Sequence, residues 1–167
     1  ASNNILKYAR YIPSNGWYII EISTQGGVGN IKVDKNNNVH IVFDNTLDME
    51  YRRGNGSDWT IYSFDNLFGT RPSLALDSNN QPHISRCRTG ENYNVIYQKL
   101  VTGVFTTSVV ETADNLYDTS IAIDSKGNPH IVYYQGLVGR LRYAKNTGSG
   151  WVITTVDNSS VFEYPSI

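Results

Sequence analysis

Apolar and polar positions alternate along short stretches of this chain with a period of two, the mark of half-buried β-strands. The pairs Ile31/Val33, Leu74/Leu76 and Ile121/Ile123 share one face of their segments. Between them lie small residues, Ser73/Ala75 and Ser120/Ala122, with Asn30/Lys32 as the less typical pair. A strand that is bulky on one face and small on the other suits a crowded centre, where inner strands approach closely. Clusters of Asn, Gly and Ser bound these segments and predict tight turns. Helix formers are few beside these turn and strand formers, so an all-β protein is expected.

The pattern is also periodic on a longer scale. GNIKVDKNNNVHIVFD (29–44), PSLALDSNNQPHISRC (72–87) and TSIAIDSKGNPHIVYY (119–134) align without gaps. Their aspartates, Asp34, Asp77 and Asp124, are 43 and 47 residues apart, and six residues after each stands a histidine: His40, His83 and His130. These are all the histidines of the chain. A second pair of slots recurs downstream. Tyr8, Tyr51, Tyr97 and Tyr143 precede Trp17, Trp59, Phe105 and Trp151 by eight or nine residues, so every tryptophan occupies one slot. Each unit reads as four strands, A to D, placed in the last unit at about 119–124, 129–135, 141–146 and 151–157. Four-stranded units at a period near 45 residues predict a β-propeller.

The motif TSIAIDSKGNPHIVYY, and with it PSLALDSNNQPHIS and the more divergent GNIKVDKNNNVHIVFD, resembles the blades of bacterial and archaeal β-propeller repeat proteins, many of them secreted. The resemblance covers nearly the whole chain. It implies four-stranded antiparallel blades and an extracellular or periplasmic location. The turns before the tryptophans, as in SNGW, GSDW and GSGW, resemble at a distance the Asp-box of sialidase-type propellers. The boxed aspartate is missing from NTGSGW and shifted in GNGSDW, and an Asp-box is a structural element that does not carry sialidase activity by itself. The expected layout is strands C and D of an incomplete blade over 5–28, blades over 29–71, 72–118 and 119–164, and the start of another strand A at 165–167. That amounts to about 3.5 blades and fourteen strands. Two such chains would supply the strands of seven four-stranded blades, although the phase at the junction is imperfect. A fragment of a longer protein and a homo-oligomer that completes the ring are both consistent with this count. The chain opens on Ala1 and not on Met, which a removed signal peptide or a fragment boundary would explain.

Composition then narrows the function classes. The 167 residues carry a net charge of −1 and only 17% charged residues, which leaves no basic face for nucleic acid. No stretch approaches the roughly 20 apolar residues of a membrane helix, so membrane insertion is not expected. Eighteen Asn, 14 Gly and 12 Tyr, with one Met, are the turn and strand formers of the repeat. A single cysteine, Cys87, excludes an intrachain disulfide.

Candidate chemistry is sparse. The three histidines share one repeat slot, so they read as turn-bonding residues and not as a metal ring. The loops DKNNN, DSNNQ and DSKGN offer one carboxylate each, where calcium loops offer several. Nothing in the sequence calls for a metal or other cofactor. The Trp17, Trp59 and Trp151 slot reads as blade packing. Function is expected where the repeats differ, on the face of the B–C and D–A links. Antiparallel pairing across the A–B hairpin places Arg71 opposite Arg88, with Arg86 on the same strand face. Such a cluster suits bidentate binding of a carboxylate, sulfate or phosphate. The alternative is that Asp118 or Glu91 neutralises it. Phe68, Tyr117, Phe162 and Tyr164 add aromatic rings beside Asp and Asn, the combination that sugar binding uses. The resulting reading is a non-catalytic binding module for a glycan or another extracellular surface, with Arg71, Arg86, Arg88, Asp118, Tyr117 and Phe68 as ligand contacts. The alternatives are a sialidase-like or polysaccharide-degrading enzyme, with carboxylates among Asp118, Glu91 and Glu163, and a scaffold that completes a propeller by self-association. No catalytic residue stands out: the chain has no Gly-x-Ser-x-Gly, phosphate loop or zinc spacing.

Overall fold

The structure, a computed structural model, describes residues 4–45, 49–64, 69–89, 93–158 and 164–167. Among the described residues, fourteen strands form a two-stranded sheet and three four-stranded antiparallel sheets, each running in chain order. The two-stranded half-blade is β1 (Leu6–Ile12) and β2 (Gly16–Ser23). The first blade holds β3 (Gly26–Val33), β4 (Val39–Asn45), β5 (Met49–Gly54) and β6 (Trp59–Phe64). The second holds β7 (Gly69–Leu76), β8 (Pro82–Arg88), β9 (Asn94–Val101) and β10 (Val104–Thr112). The third holds β11 (Leu116–Ile123), β12 (Pro129–Gln135), β13 (Arg140–Asn146) and β14 (Trp151–Asp157). The architecture is that of β-propeller blades. Among the described residues, the sole helical element is one 3-10 turn, Gly136–Val138.

The core lies between sheets and not within them, because each four-stranded sheet can bury its faces only against its neighbours. Ile22 of the half-blade packs with Val39, Ile41 and Phe43 of the first blade. Val42, Met49, Tyr51 and Phe64 of the first blade meet Leu74 and Ile84 of the second. Cys87 and Val95 of the second meet Leu116, Ile131 and Tyr133 of the third. Strand A behaves as its small face predicts. Ser73 Oγ accepts the backbone N–H of Ile121 at 3.2 Å, and Ser120 Oγ accepts that of Ile167 at 3.3 Å. Inner strands can approach this closely only where side chains are small. Strand A of the first blade is the exception: Ile31 and Val33 are 50% and 60% exposed, whereas Leu74 and Ile121 are 1% and 5% exposed. Among the described residues, the sheet beside β3 has two strands, β1 and β2, and leaves that face of β3 open.

The same polar relay pins each A–B turn. Asp34 Oδ1 accepts the N–H groups of Asn36 and Asn38 at 2.8 Å, which closes the turn as an Asx motif. Asp77 and Asp124 do the same in their blades. Each aspartate also meets Nε2 of the following histidine, at 3.3 Å for His40, 3.4 Å for His83 and 3.3 Å for His130. The histidine Nδ1 atoms in turn lie 2.6, 2.7 and 2.6 Å from the hydroxyls of Tyr51, Tyr97 and Tyr143. Burial lowers the pKa of His40 and His83, so both rings are neutral. A neutral ring beside a carboxylate must donate from Nε2, so Nδ1 accepts and the tyrosine donates. Burial alone would raise the Asp34 pKa, but hydrogen bonds from Asn38, His40 and Asn36 hold it down at about 2. Bonds from Asn128 likewise hold Asp124 well below the usual carboxylate range.

The aromatic slots couple one blade to the next. Tyr8 of the half-blade meets Trp59 of the first blade edge-on at 5.7 Å, Tyr51 meets Phe105 of the second at 5.3 Å, and Tyr97 meets Trp151 of the third at 5.3 Å. Trp17, whose own slot would receive a preceding tyrosine, is 68% exposed and touches only Tyr11 among described rings.

Candidate functional site

The face carrying the B–C and D–A links is shaped by a bulge at the start of each strand A. Pairing in β7–β8 runs Gly69↔Arg88 and Thr70↔Cys87, then resumes at Ser73↔Ser85. Register shifts fall at the same place in β3–β4, between Gly26 and Gly29, and in β11–β12, between Tyr117 and Thr119. A bulge leaves the extra residues unpaired and re-aims their side chains. Strand A consequently starts at Gly26, Gly69 and Leu116, three residues before the positions 29, 72 and 119 expected from the alternation.

This corrects the expected pairing of Arg71 with Arg88. Arg71 sits inside the bulge, with φ at 45°, and has no partner in the β7–β8 ladder. Its equivalents in the repeat, Asp118 and Tyr164, also have positive φ, at 40° and 59°. None of the three is glycine, so the left-handed backbone costs something at each, and such strain concentrates at functional sites. Their side chains meet, and Asp118 neutralises Arg71, as the alternative to a bare arginine cluster expected. Arg71 Nη1 donates to Asp118 Oδ2 at 3.3 Å, Arg71 Nη2 donates to the Tyr164 hydroxyl at 3.0 Å, and the guanidinium lies 4.2 Å from the Tyr164 ring centroid. The cluster is open to solvent, with the Arg71 side chain 39% exposed and Tyr164 61% exposed. Tyr117, next to Asp118, is 37% exposed, and its hydroxyl bonds Asn115.

Arg86 and Arg88 go elsewhere. They line a cleft of about 560 Å3 between the first and second blades, together with Tyr62, Phe64, Gln98 and Phe105. Arg86 is 5% exposed and lies close enough to the half-buried Asp44 to favour its ionised form. Burial nonetheless raises the Asp44 pKa to about 6, against the pull of the Arg71 backbone N–H, which donates to its Oδ2 at 3.0 Å, and of Arg86. Asp44 thus links the two Arg groups. Its one signal in the sequence is a charge in a slot that holds Cys87 and Tyr134 in the other blades. Tyr62 and Gln98 carry no local signal, because they enter the cleft only through blade packing.

Cys87 is fully buried, and burial raises its thiol pKa, so it is no nucleophile. Among the described residues, no three His, Cys, Asp or Glu side chains gather as a metal site would require. Phe68, Phe162, Glu91 and Glu163 lie outside the described residues.

Two solved structures share this blade arrangement. One is an ulvan lyase of a polysaccharide lyase family, bound to -[GlcA(1-4)Rha3S]-, with a TM-score of 0.64 and 15% identity over 89% of this chain. The other is a fucose lectin from Kordia zhangzhouensis in complex with methyl-fucoside, with a TM-score of 0.52 and 17% identity over 75% of this chain. The fold is a β-propeller. The chain spans about half of the lyase, 48% of its length, whereas the match covers 96% of the lectin. No protein-family model and no curated protein matches the sequence.

Proposed function

We propose that this chain is a non-catalytic, extracellular or periplasmic glycan-binding module that engages a sugar chain on the face where its strands A begin. The observation that carries the reading is the Arg71–Asp118–Tyr164 cluster, in which three strained positions of one repeat slot bring a cation, a carboxylate and an exposed ring together. An aromatic face packs on the apolar side of a sugar, while the guanidinium and carboxylate bond its hydroxyls. The likeness to a lectin and to a polysaccharide lyase supports the same ligand class. The experiment is a glycan array followed by calorimetry on any hit, with R71A and Y164A beside the parent protein. Each variant loses about tenfold or more in affinity while melting within about 2 °C of the parent. A chain that retains no glycan, or an R71A variant that binds like the parent, overturns the reading.

A second reading, self-association through unfilled blade surfaces, is favoured by one observation. The tyrosine-to-aromatic coupling leaves Trp17 and Tyr143 without a ring from a neighbouring blade among the described residues, while Ile31 and Val33 stay exposed. Light scattering over a concentration series tests it. A dimer weakened by W17S supports it, and a monomer at every concentration refutes it.

A further inference from the structure

The cleft between the first and second blades owes its openness to a departure from the repeat. Three residues after each repeat histidine, the first blade has Phe43 and the third has Tyr133, both 0% exposed; the second blade has Arg86 in that slot. The corresponding space between the second and third blades is filled by polar contacts. The Tyr133 hydroxyl donates to Glu111, and Arg142 Nη2 donates to the same carboxylate at 2.6 Å. Between the first and second blades the residues equivalent to Glu111 and Arg142 are Phe64 and Ile96, so no carboxylate lines the cleft among the described residues.

Two guanidiniums therefore face one space. Asp44 answers Arg86 from behind, but the Arg88 side chain has no charged or hydrogen-bonding partner among the described residues. Gln98 supplies the remaining chemistry. It is 3% exposed, its amide nitrogen donates to Thr107, and its buried Oε1 has no partner. Leaving such an acceptor unbonded is costly, so the cleft calls for a donor as well as an anion. A bare oxyanion brings no donor, whereas a sugar bearing an acidic group brings hydroxyls. The rings of Tyr62 and Phe105, 5.3 Å apart and edge-on, form an apolar wall beside these groups. The whole chain has a net charge of −1, which suits one localised anionic group better than a polyanion held by general attraction.

We infer that this interblade cleft is an anion subsite, in which Arg88, backed by Arg86, receives the carboxylate or sulfate ester of an acidic sugar residue while Gln98 accepts from one of its hydroxyls. The inference rests on the glycan-binding reading and adds the ligand's charge and the place where that charge sits.

Calorimetry with matched pairs of probes tests it: an oligogalacturonate and its carboxyl-reduced form, and a sulfated galactan oligosaccharide and its desulfated form. The subsite predicts that at least one acidic probe binds about tenfold tighter than its neutral partner. R88A erases that preference at unchanged melting temperature, and R88K restores part of it as a point charge without the bidentate fork. Discrimination in only one pair supports the subsite and names its anion. Equal binding within both pairs, or a preference that survives R88A, overturns the subsite while glycan binding stands. Failure of all four probes, with an array that also retains nothing, overturns both.

Discussion

Replacing Tyr51, Tyr97 and Tyr143 by phenylalanine, one at a time, removes a single hydroxyl from each repeat and leaves the ring that packs on its neighbours. The structure grades the cost. In the first blade Tyr51 is 0% exposed, and the His40 and Asp34 side chains are both at 0%. Loss of the hydroxyl there leaves His40 Nδ1 as a buried acceptor that water cannot reach. In the second blade His83 is at 0% and Asp77 at 7%; in the third, His130 and Asp124 are 18% and 27% exposed, so water can replace the lost donor. An unsatisfied buried acceptor costs about 1–3 kcal/mol, and a solvent-replaceable bond about 0.5–1 kcal/mol. For a chain of this size each kcal/mol moves the melting temperature by roughly 2–4 °C. Y51F therefore melts about 6 °C below the parent, Y143F about 2 °C below, and Y97F between them. Thermal unfolding followed by circular dichroism reads the order directly. Equal shifts in the three variants, or no shift in Y51F, would refute the claim that the relay holds the A–B turns.

The remaining predictions concern titration, packing and reactivity. Asp34, Asp77 and Asp124 all have lowered pKa values, so the unfolded chain takes up their protons first, near pH 3.8, and stability present above about pH 4 is lost as the pH falls toward 2. Denaturant midpoints measured down that range should drop steeply, and D34N should flatten part of the drop. Gly54 closes β5 so tightly that a Cβ would lie 1.9 Å from the Asp58 carbonyl oxygen; G54A should lower the unfolding free energy by about 2 kcal/mol or more, read as a lower denaturant midpoint, and an unchanged midpoint would contradict the backbone packing there. Cys87 should resist a thiol reagent in the native protein and react once denaturant unfolds it, with rapid native labelling as the contrary result.

What could be read from the sequence follows from how local each feature is. Asp34 and His40 lie six residues apart across one turn, so their repetition at 77/83 and 124/130 exposes the hairpin without tertiary information. The four-stranded unit follows from the same periodicity. The placement of Arg71 does not. Pairing by residue number assumes an unbroken ladder, and the bulge between Thr70 and Ser73 breaks it two residues before the alternation starts. Arginine, aspartate and tyrosine carry no glycine-like signal for a left-handed backbone, so nothing in 71, 118 or 164 announces a shared conformation. Their meeting spans 93 residues of chain, from Arg71 to Tyr164, and depends on how inner strands converge. Arg86 was more legible than its neighbours, because a charge in a slot held elsewhere by Phe43 and Tyr133 marks a break in the core. Tyr62 and Gln98 became visible only when two blades were packed together.

The central claim is that a sugar chain binds on the strand-A face and in the cleft beside it. Amide and side-chain NMR shifts, followed while an oligosaccharide selected from the array is titrated, test this most directly. The account predicts perturbations gathered at Arg71, Asp118 and Tyr164, and at Arg88 and Gln98 when the sugar is acidic. Perturbations gathered instead around the A–B turns at Asp34, Asp77 and Asp124, on the opposite face, would contradict it.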